Sequence, residues 1–352
     1  MSALTKKIRV GILFGGRSGE HEVSLRSAAS VIAAIDKSKY DVLPIGITKT
    51  GKWLSGSQSA KLLPGPGRLF SPPGNRALTI QPVPHSVDTV DVVFPVLHGT
   101  FGEDGTVQGL LDLAGLPYVG AGVLGSAVAM DKDVMKRLFR ERGLPTPRHL
   151  ALLRGQAPLA KLVREFGFPM FVKPANLGSS VGITKAHDRK ELKQALETAG
   201  QFDRKIIVEE AIDGREIECS VLGNDRPQAS LPGEIIPARE FYDYEAKYSD
   251  DRSELLIPAP LSKAQTRRVQ KLAVAGFLAC ECAGMARVDF FLERRTGRIL
   301  LNEINTLPGF TSISMYPKLW EASGLSYRDL IDRLIQLALE RQAEKTRTRY
   351  SL

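Results

Sequence analysis

Only three cysteines occur in the 352 residues: Cys219, Cys280 and Cys282. So sparse and odd a set excludes a disulfide framework and fits a reducing compartment. Cys280 and Cys282 stand two apart in a helix-like stretch, so they face different ways and read as buried thiols, not metal ligands. Long hydrophobic runs are also missing. The least polar stretch, Leu110 to Met130, is interrupted by Asp112, Pro117 and several glycines, which makes a poor membrane span and a good piece of soluble core with turns. The apolar part of MSALTKKIRVGILF is too short for a secretory core and reads as a first β-strand, so a cytoplasmic protein with no membrane partner is expected. Aromatic residues make up only 7% of the chain, and neither an aromatic nucleic-acid-binding strand nor zinc-finger spacing accompanies the net charge of +9. The basic stretches Lys136–Arg148 and Arg341–Arg349 are mixed with acids and read as solvated helix faces. No nucleic-acid partner is expected, and a phosphate-rich small molecule accounts for part of the basic balance. A Walker P-loop is absent, as is any internal repeat.

What is present is ordinary for a globular chain, 43% hydrophobic and 25% charged, and long enough for two or three domains. The β-rich run Ile8–Phe14, helical spacing over Val23–Ile35, and strands at Val42–Ile47 and Val90–Leu97 alternate as in a parallel, Rossmann-like first domain. Residues 51–90 read as turns, short strands and loop, and Val107–Leu113 as a short helix. Asp131 is placed to cap a helix ending at Arg142, before Gly143-Leu-Pro-Thr-Pro. Strand and helix signals then alternate through Glu210 as in a small α+β domain. From Glu216 the chain is strand-rich, with a helix at Ser262–Cys282, strands at Met285–Leu292 and Ile299–Ile304 around the turn Arg295-Thr-Gly-Arg298, and a last helix at Tyr327–Ala343. The fold class is thus α/β and α+β.

The strongest chemical signal lies in those two late strands. Residues two apart in a strand share a face, so Arg287 pairs with Asp289, and Glu303 with Asn305. Two carboxylates, an amide oxygen and a guanidinium come together there, with apolar flanks that disfavour a mere surface ion-pair cluster. Hard oxygens of this kind suit Mg²⁺ shared with nucleotide phosphates. Lys173-Pro-Ala-Asn-Leu-Gly-Ser179-Ser180 delivers an ammonium and a Gly/Ser loop suited to phosphate, though many such loops are only turns. The acids Glu209, Glu210 and Glu216 have a solvated role as their plain alternative to holding adenine and ribose. GGRSGEHEVS runs from the first strand into a helix N-terminus and carries Glu20; a simple turn with capping acids is its alternative. His98 ends a strand, where α/β folds place ligands. Phe241–Tyr248 is polar and aromatic, a lid or an exposed loop.

Taken together, GGRSGEHEVSL, HGTFGEDGTVQG, MDKDVMK, VKPANLGSSVG, VEEAIDGREIE, FYDYEAKY, ARVDFFL and LNEINTLPGFTSISMYP closely resemble the D-alanine–D-alanine ligases of the ATP-grasp superfamily, in order and over nearly the whole chain. The resemblance implies an ATP-grasp fold with an N-terminal Rossmann-like substrate domain (1–125), a central ATP-grasp subdomain (126–214) and a C-terminal one (215–352) with metal and substrate sites. It implies that Glu20 holds the first substrate's ammonium, linked to Ser179 and Tyr248, with His98 nearby. It implies contacts to ATP from Lys132, Lys173, Lys247, Ser179, Ser180, Glu209, Glu210, Ile212 and Glu216, and two Mg²⁺ (or Mn²⁺) on Asp289, Glu303 and Asn305. Arg287 and the Gly309 backbone resemble an oxyanion site, and Ser314 and Met315 the receiver of the second carboxylate. Gly19 and Ala211 stand where Ala and, in some members, an aromatic are common. The implied reaction joins two D-alanines through an acyl phosphate, for peptidoglycan synthesis, in a cytoplasmic homodimer. A D-alanine–D-lactate ligase and a non-catalytic nucleotide-binding module are the alternatives. Retention of Tyr248 favours the dipeptide product, and the complete Asp289/Glu303/Asn305 set favours catalysis.

Overall fold

The computed structural model describes residues 6–54, 56–64, 90–178, 181–236 and 254–349. The segment Phe241–Tyr248 and the pair Ser179 and Ser180 lie outside the described residues.

Three sheets follow one another along the chain. The first is parallel, in the order β2 (Tyr40–Ile47), β1 (Ile8–Gly15), β3 (Val92–Val96). Parallel strands are covered on both faces, and this is why IRVGILFG reads as one apolar run. One face carries the helix His21–Ala34 and, unexpectedly, the last helix, Tyr327–Lys345. Leu330, Ile331, Leu334 and Ile335 of that helix share a core with Val10, Ile12, Phe14 and Phe94. The chain's two ends therefore stabilise each other. Residues 51–90, expected as turns, short strands and loop, contain the helix Gly56–Leu62.

The second sheet is antiparallel: β4 (His149–Leu153), β7 (Lys205–Glu210), β5 (Met170–Pro174), β6 (Thr184–Ala186). Helices Leu159–Phe166 and Arg189–Phe202 cover one face through Leu162, Leu192, Ala195 and Ala199. In the third sheet, β11 (Glu254–Leu256), β10 (Gly233–Ile236), β8 (Gly214–Gly223), β12 (Gly284–Glu293) and β13 (Ile299–Asn305) follow in that order, and β9 (Gln228–Ala229) also pairs with β8. The helix Lys263–Ala279 packs beneath it and starts in a capping box between Ser262 and Gln265. It stops three residues short of the expected Cys282, because Glu281 takes a left-handed φ of 52°.

Two further helices went unmarked in the sequence. Val123–Met130 hides in a glycine-containing stretch, and Met315–Ala322 carries Pro317 in its first turn, where no intrahelical N–H is needed. A division at 125 falls inside the first of these, and one at 214 at the start of β8. The three cysteines are buried and free, as the sequence suggested. Among the described residues no helix is long and apolar enough to cross a membrane.

Candidate active site

The helix Lys132–Glu141 ties the second and third sheets together. Asp131 caps it, accepting from the amides of Asp133 and Val134. Lys132, Met135, Lys136 and Phe139 follow helical spacing and all are buried. Met135 and Phe139 join the core beneath the third sheet. The two lysines extend to the charged groups between the sheets. Lys132 Nζ donates to the Leu177 carbonyl at 2.9 Å and lies 3.6 Å from Glu303 Oε2 on β13. Lys136 Nζ donates to the Asn302 carbonyl at 2.9 Å and lies 3.1 Å from Glu209 Oε1 on β7. Lys173, from β5, reaches Glu209 Oε2 at 2.7 Å.

Glu209 is therefore no solvated acid. It is 2% exposed and clamped between two ammoniums. Burial alone would raise its pKa, but Lys136 and Lys173 overcome this and hold it at about 2. Lys136, expected on a solvated helix face, is 1% exposed, and burial lowers its pKa against the pull of Glu209. Glu210 points the other way and takes the Arg148 amide and Nε, each at 2.8 Å. Ile212 and Glu216 are half-buried around the link from β7 to β8.

The late strands pair as their alternation predicted. Asp289 is in register with Glu303, and Arg287 with Asn305. On the other side of β12, Asp289 faces Glu218 of β8, which sequence reasoning did not single out. Its signal was its position two residues after Glu216, hence on the same face. Arg287 grips Asp289 with two hydrogen bonds of 2.8 and 2.7 Å and meets Glu218 at 3.0 Å. Burial works against its charge, but the two carboxylates push its pKa well above the ordinary value. Among the described residues no three acidic, histidine or cysteine side chains converge as a metal cluster by themselves. The amide oxygen of Asn305 is buried without a hydrogen-bond partner among the described residues, and an orphaned hard oxygen beside two acids fits a divalent cation completed by phosphates.

At the other end of the cleft lies the first sheet. Glu20 stands at the N-cap of the helix His21–Ala34 and is 8% exposed. A cavity of about 350 Å³ opens beside its loop, lined by Gly16, Arg17, Leu97, His98 and Phe101 among others. It sits at the carboxyl ends of parallel strands, the usual ligand position. His98 itself is occupied. Nδ1 lies 2.9 Å from the Leu307 carbonyl, which only accepts, so Nδ1 carries the proton. Nε2 then accepts from Ser27 Oγ at 3.1 Å, and that hydroxyl takes the Phe310 amide. Burial lowers the His98 pKa. The ring is a neutral strut between the first helix and the loop 307–310.

Beyond that strut the chain passes Gly309, where a Cβ would meet Ser314 Oγ at 2.6 Å. Ser314 is the N-cap of Met315–Ala322 and accepts the Thr311 amide at 2.9 Å. The Met315 side chain is buried with Ile235 and Leu319, leaving its backbone amide at the positive end of the helix. The structure thus brings Glu20, His98, Lys132, Lys173, Glu209, Arg287, Asp289, Glu303, Asn305, Gly309, Ser314 and Met315 into three connected regions. Ser179, Ser180, Lys247 and Tyr248 fall outside the described residues.

A family model described as the D-ala D-ala ligase N-terminus matches residues 9–121, and one described as the D-ala D-ala ligase C-terminus matches residues 138–336. A D-alanine–D-alanine ligase of Solibacter usitatus is 55% identical over 345 residues, 98% of this chain and 99% of its own length. The solved D-alanine–D-alanine ligase of Coxiella burnetii superposes with a TM-score of 0.85 at 40% identity, covering 97% of each chain. A D-Ala:D-Ser ligase of Enterococcus faecalis gives a TM-score of 0.83 at 38% identity, covering 95% of this chain and 100% of its own. With both family models matched in order and this degree of identity along its length, the chain belongs to the D-alanine–D-alanine ligase family.

Proposed function

We propose that the chain uses ATP to join two D-alanines into D-alanyl-D-alanine for peptidoglycan synthesis, acting on small molecules in the cytoplasm as a homodimer. The observation that carries this reading is the approach of Lys132 to within 3.6 Å of Glu303. A phosphate-type ammonium from one lobe there meets the acid row of the other. Lys132 and Lys173, with Lys247 and the serines 179 and 180, neutralise the phosphates. Glu209 also orients Lys173 and Lys136, and Glu209 and Glu216, with Ile212 and the backbone of Glu210 around the β7–β8 link, supply the contacts to adenine and ribose. Asp289, Glu303 and Asn305 would hold two Mg²⁺ (or Mn²⁺) ions. When bound, such an ion neutralises phosphate charge and aligns the transferred group.

A carboxylate is a poor electrophile, so it must first be activated. The carboxylate oxygen of the first D-alanine attacks the γ-phosphorus, the bond to the ADP oxygen breaks, and an acyl phosphate forms. Glu20 holds the ammonium of that substrate, with Ser179 and Tyr248 linked to it. His98 keeps the loop 307–310 in place. The amine of the second D-alanine attacks the acyl carbon, and phosphate leaves. Arg287 and the Gly309 amide face the oxyanion, which preorganised donors stabilise strongly. The amide end of the helix Met315–Ala322, with Ser314, receives the second carboxylate. An acyl phosphate hydrolyses in water, so the segment Tyr242–Tyr248 is assigned as the covering lid. Phosphate release with ATP, Mg²⁺ and D-alanine, against an L-alanine control, tests the proposal. Release that depends on the D-isomer is expected. Equal release with either isomer, or none with D-alanine, overturns it.

A further inference from the structure

The reaction as derived leaves Glu103 unused, although it is one of the most confined acids in the molecule, 8% exposed. Its Oε2 accepts the Gly99 amide at 2.8 Å, and its Oε1 is buried with no hydrogen bond of good geometry among the described residues, although the Leu307 amide also bears on the carboxylate. Glu20 stands close by. A Cβ on Gly178 would sit 3.5 Å from Glu20 Oε2 and 3.9 Å from Glu103 Oε2. A Cβ on Gly99 would sit 2.8 Å from Glu20 Oε2. Two carboxylates thus lie together beside two glycines, where no side chain intervenes between them. A buried, unpaired carboxylate oxygen is costly until a proton or a donor reaches it. The charged groups that bear on Glu103 are Glu20 and, more weakly, Arg287. His98, which borders Glu20, is neutral. Burial first and Glu20 second push the Glu103 pKa up to about 8, against the pull of the Gly99 and Leu307 amides and of Arg287.

We propose that Glu103 is a second carboxylate of the amino-group receptor and brackets the ammonium of the first D-alanine together with Glu20, in the space between Gly99 and Gly178. The inference rests on the ligase reading and deepens it. An ammonium carries three donors, more than one carboxylate satisfies in a buried site. Without substrate, two like charges at this spacing are unfavourable, so the pair retains a proton. The arriving ammonium takes that proton's place. Binding of the first D-alanine therefore expels a proton below pH 8, and its affinity rises with pH until Glu103 is ionised. A hydroxy acid at this position offers no ammonium to take that proton's place and binds less well.

The test is calorimetry of D-alanine binding to the enzyme loaded with Mg²⁺ and a non-hydrolysable ATP analogue, in buffers of different ionisation enthalpy. D-alanine-dependent phosphate release by the same preparation is measured alongside. About one proton should leave at pH 7 per D-alanine bound at the tighter site, falling towards none above pH 9. Glu103→Gln should abolish this release and raise the KM of the tighter site about 10-fold or more at pH 9. It should also flatten the pH dependence of that KM while changing kcat far less. No proton release by the unaltered enzyme overturns the proposal, whether or not the variant folds. So does a Glu103→Gln enzyme whose tighter-site KM and pH profile stay within about twofold of the unaltered ones. If the unaltered enzyme shows no D-alanine-dependent phosphate release, the ligase reading itself falls and takes the proposal with it.

Discussion

Exchanging Glu209 for glutamine removes a charge and keeps the shape, which makes its consequence calculable. Glu209 is held at 3.1 Å by Lys136 and 2.7 Å by Lys173, with all three residues buried. Its pKa falls from an ordinary 4.5 to about 2, and at roughly 1.4 kcal/mol per unit this corresponds to about 3 kcal/mol of stability. Removal of one partner from a buried ion pair independently suggests about 3–5 kcal/mol, because an uncompensated charge remains. The sign follows from a depressed carboxylate pKa. The contribution is complete above pH 4.5 and is lost as pH falls towards 2. Glu209→Gln should therefore lower the unfolding free energy by about 3 kcal/mol at pH 7, and the gap to the unaltered protein should close in acid. Lys136, whose pKa burial already lowers, is the group expected to give up its proton in the variant. The assay is denaturant unfolding followed by circular dichroism at pH 7, 5 and 3.5. A loss under about 1 kcal/mol at pH 7, or one that is the same at pH 3.5, would refute the clamp.

Asp289→Asn and Glu303→Gln should each abolish ligation with the far-ultraviolet spectrum unchanged; near-normal turnover at ordinary Mg²⁺ would remove these residues from the metal assignment. Arg287→Ala should reduce turnover about 10²–10³-fold, as loss of an oxyanion donor does, with ATP affinity by nucleotide displacement nearly unchanged. A loss confined to ATP affinity would reassign Arg287 to the nucleotide. Gly99→Ala places a methyl 2.8 Å from Glu20 Oε2 at a φ of +74°. It should cost about 1–2 kcal/mol of stability and raise the KM for D-alanine without altering that for ATP, and an unchanged D-alanine KM would mean that Glu20 does not serve the substrate.

What the sequence made legible was local. The alternation Arg287-Val-Asp289 and Glu303-Ile-Asn305 placed four functional groups on one face, since a strand's period of two needs no distant information. Register then set Asp289 against Glu303. Glu218 was missed because β8 lies far back in the chain and only the sheet order brings it beside β12. Lys136 looked solvated for the same reason: its counter-charge, Glu209, comes from another sheet. His98 was correctly placed at a strand end, but its strut role depends on Ser27 and Leu307, 71 and 209 residues away. The helix Met315–Ala322 was obscured by Pro317, which local propensity counts against a helix although the first turn tolerates it.

The most direct measurement is the identity of the product when the enzyme is given ATP, Mg²⁺ and an equimolar mixture of D-alanine, D-serine and D-lactate at neutral pH. Chromatography with mass detection should find D-alanyl-D-alanine as the main product, formed one for one with ADP. A predominance of the D-serine dipeptide or of the depsipeptide, or ATP consumption without a ligated product, would contradict it.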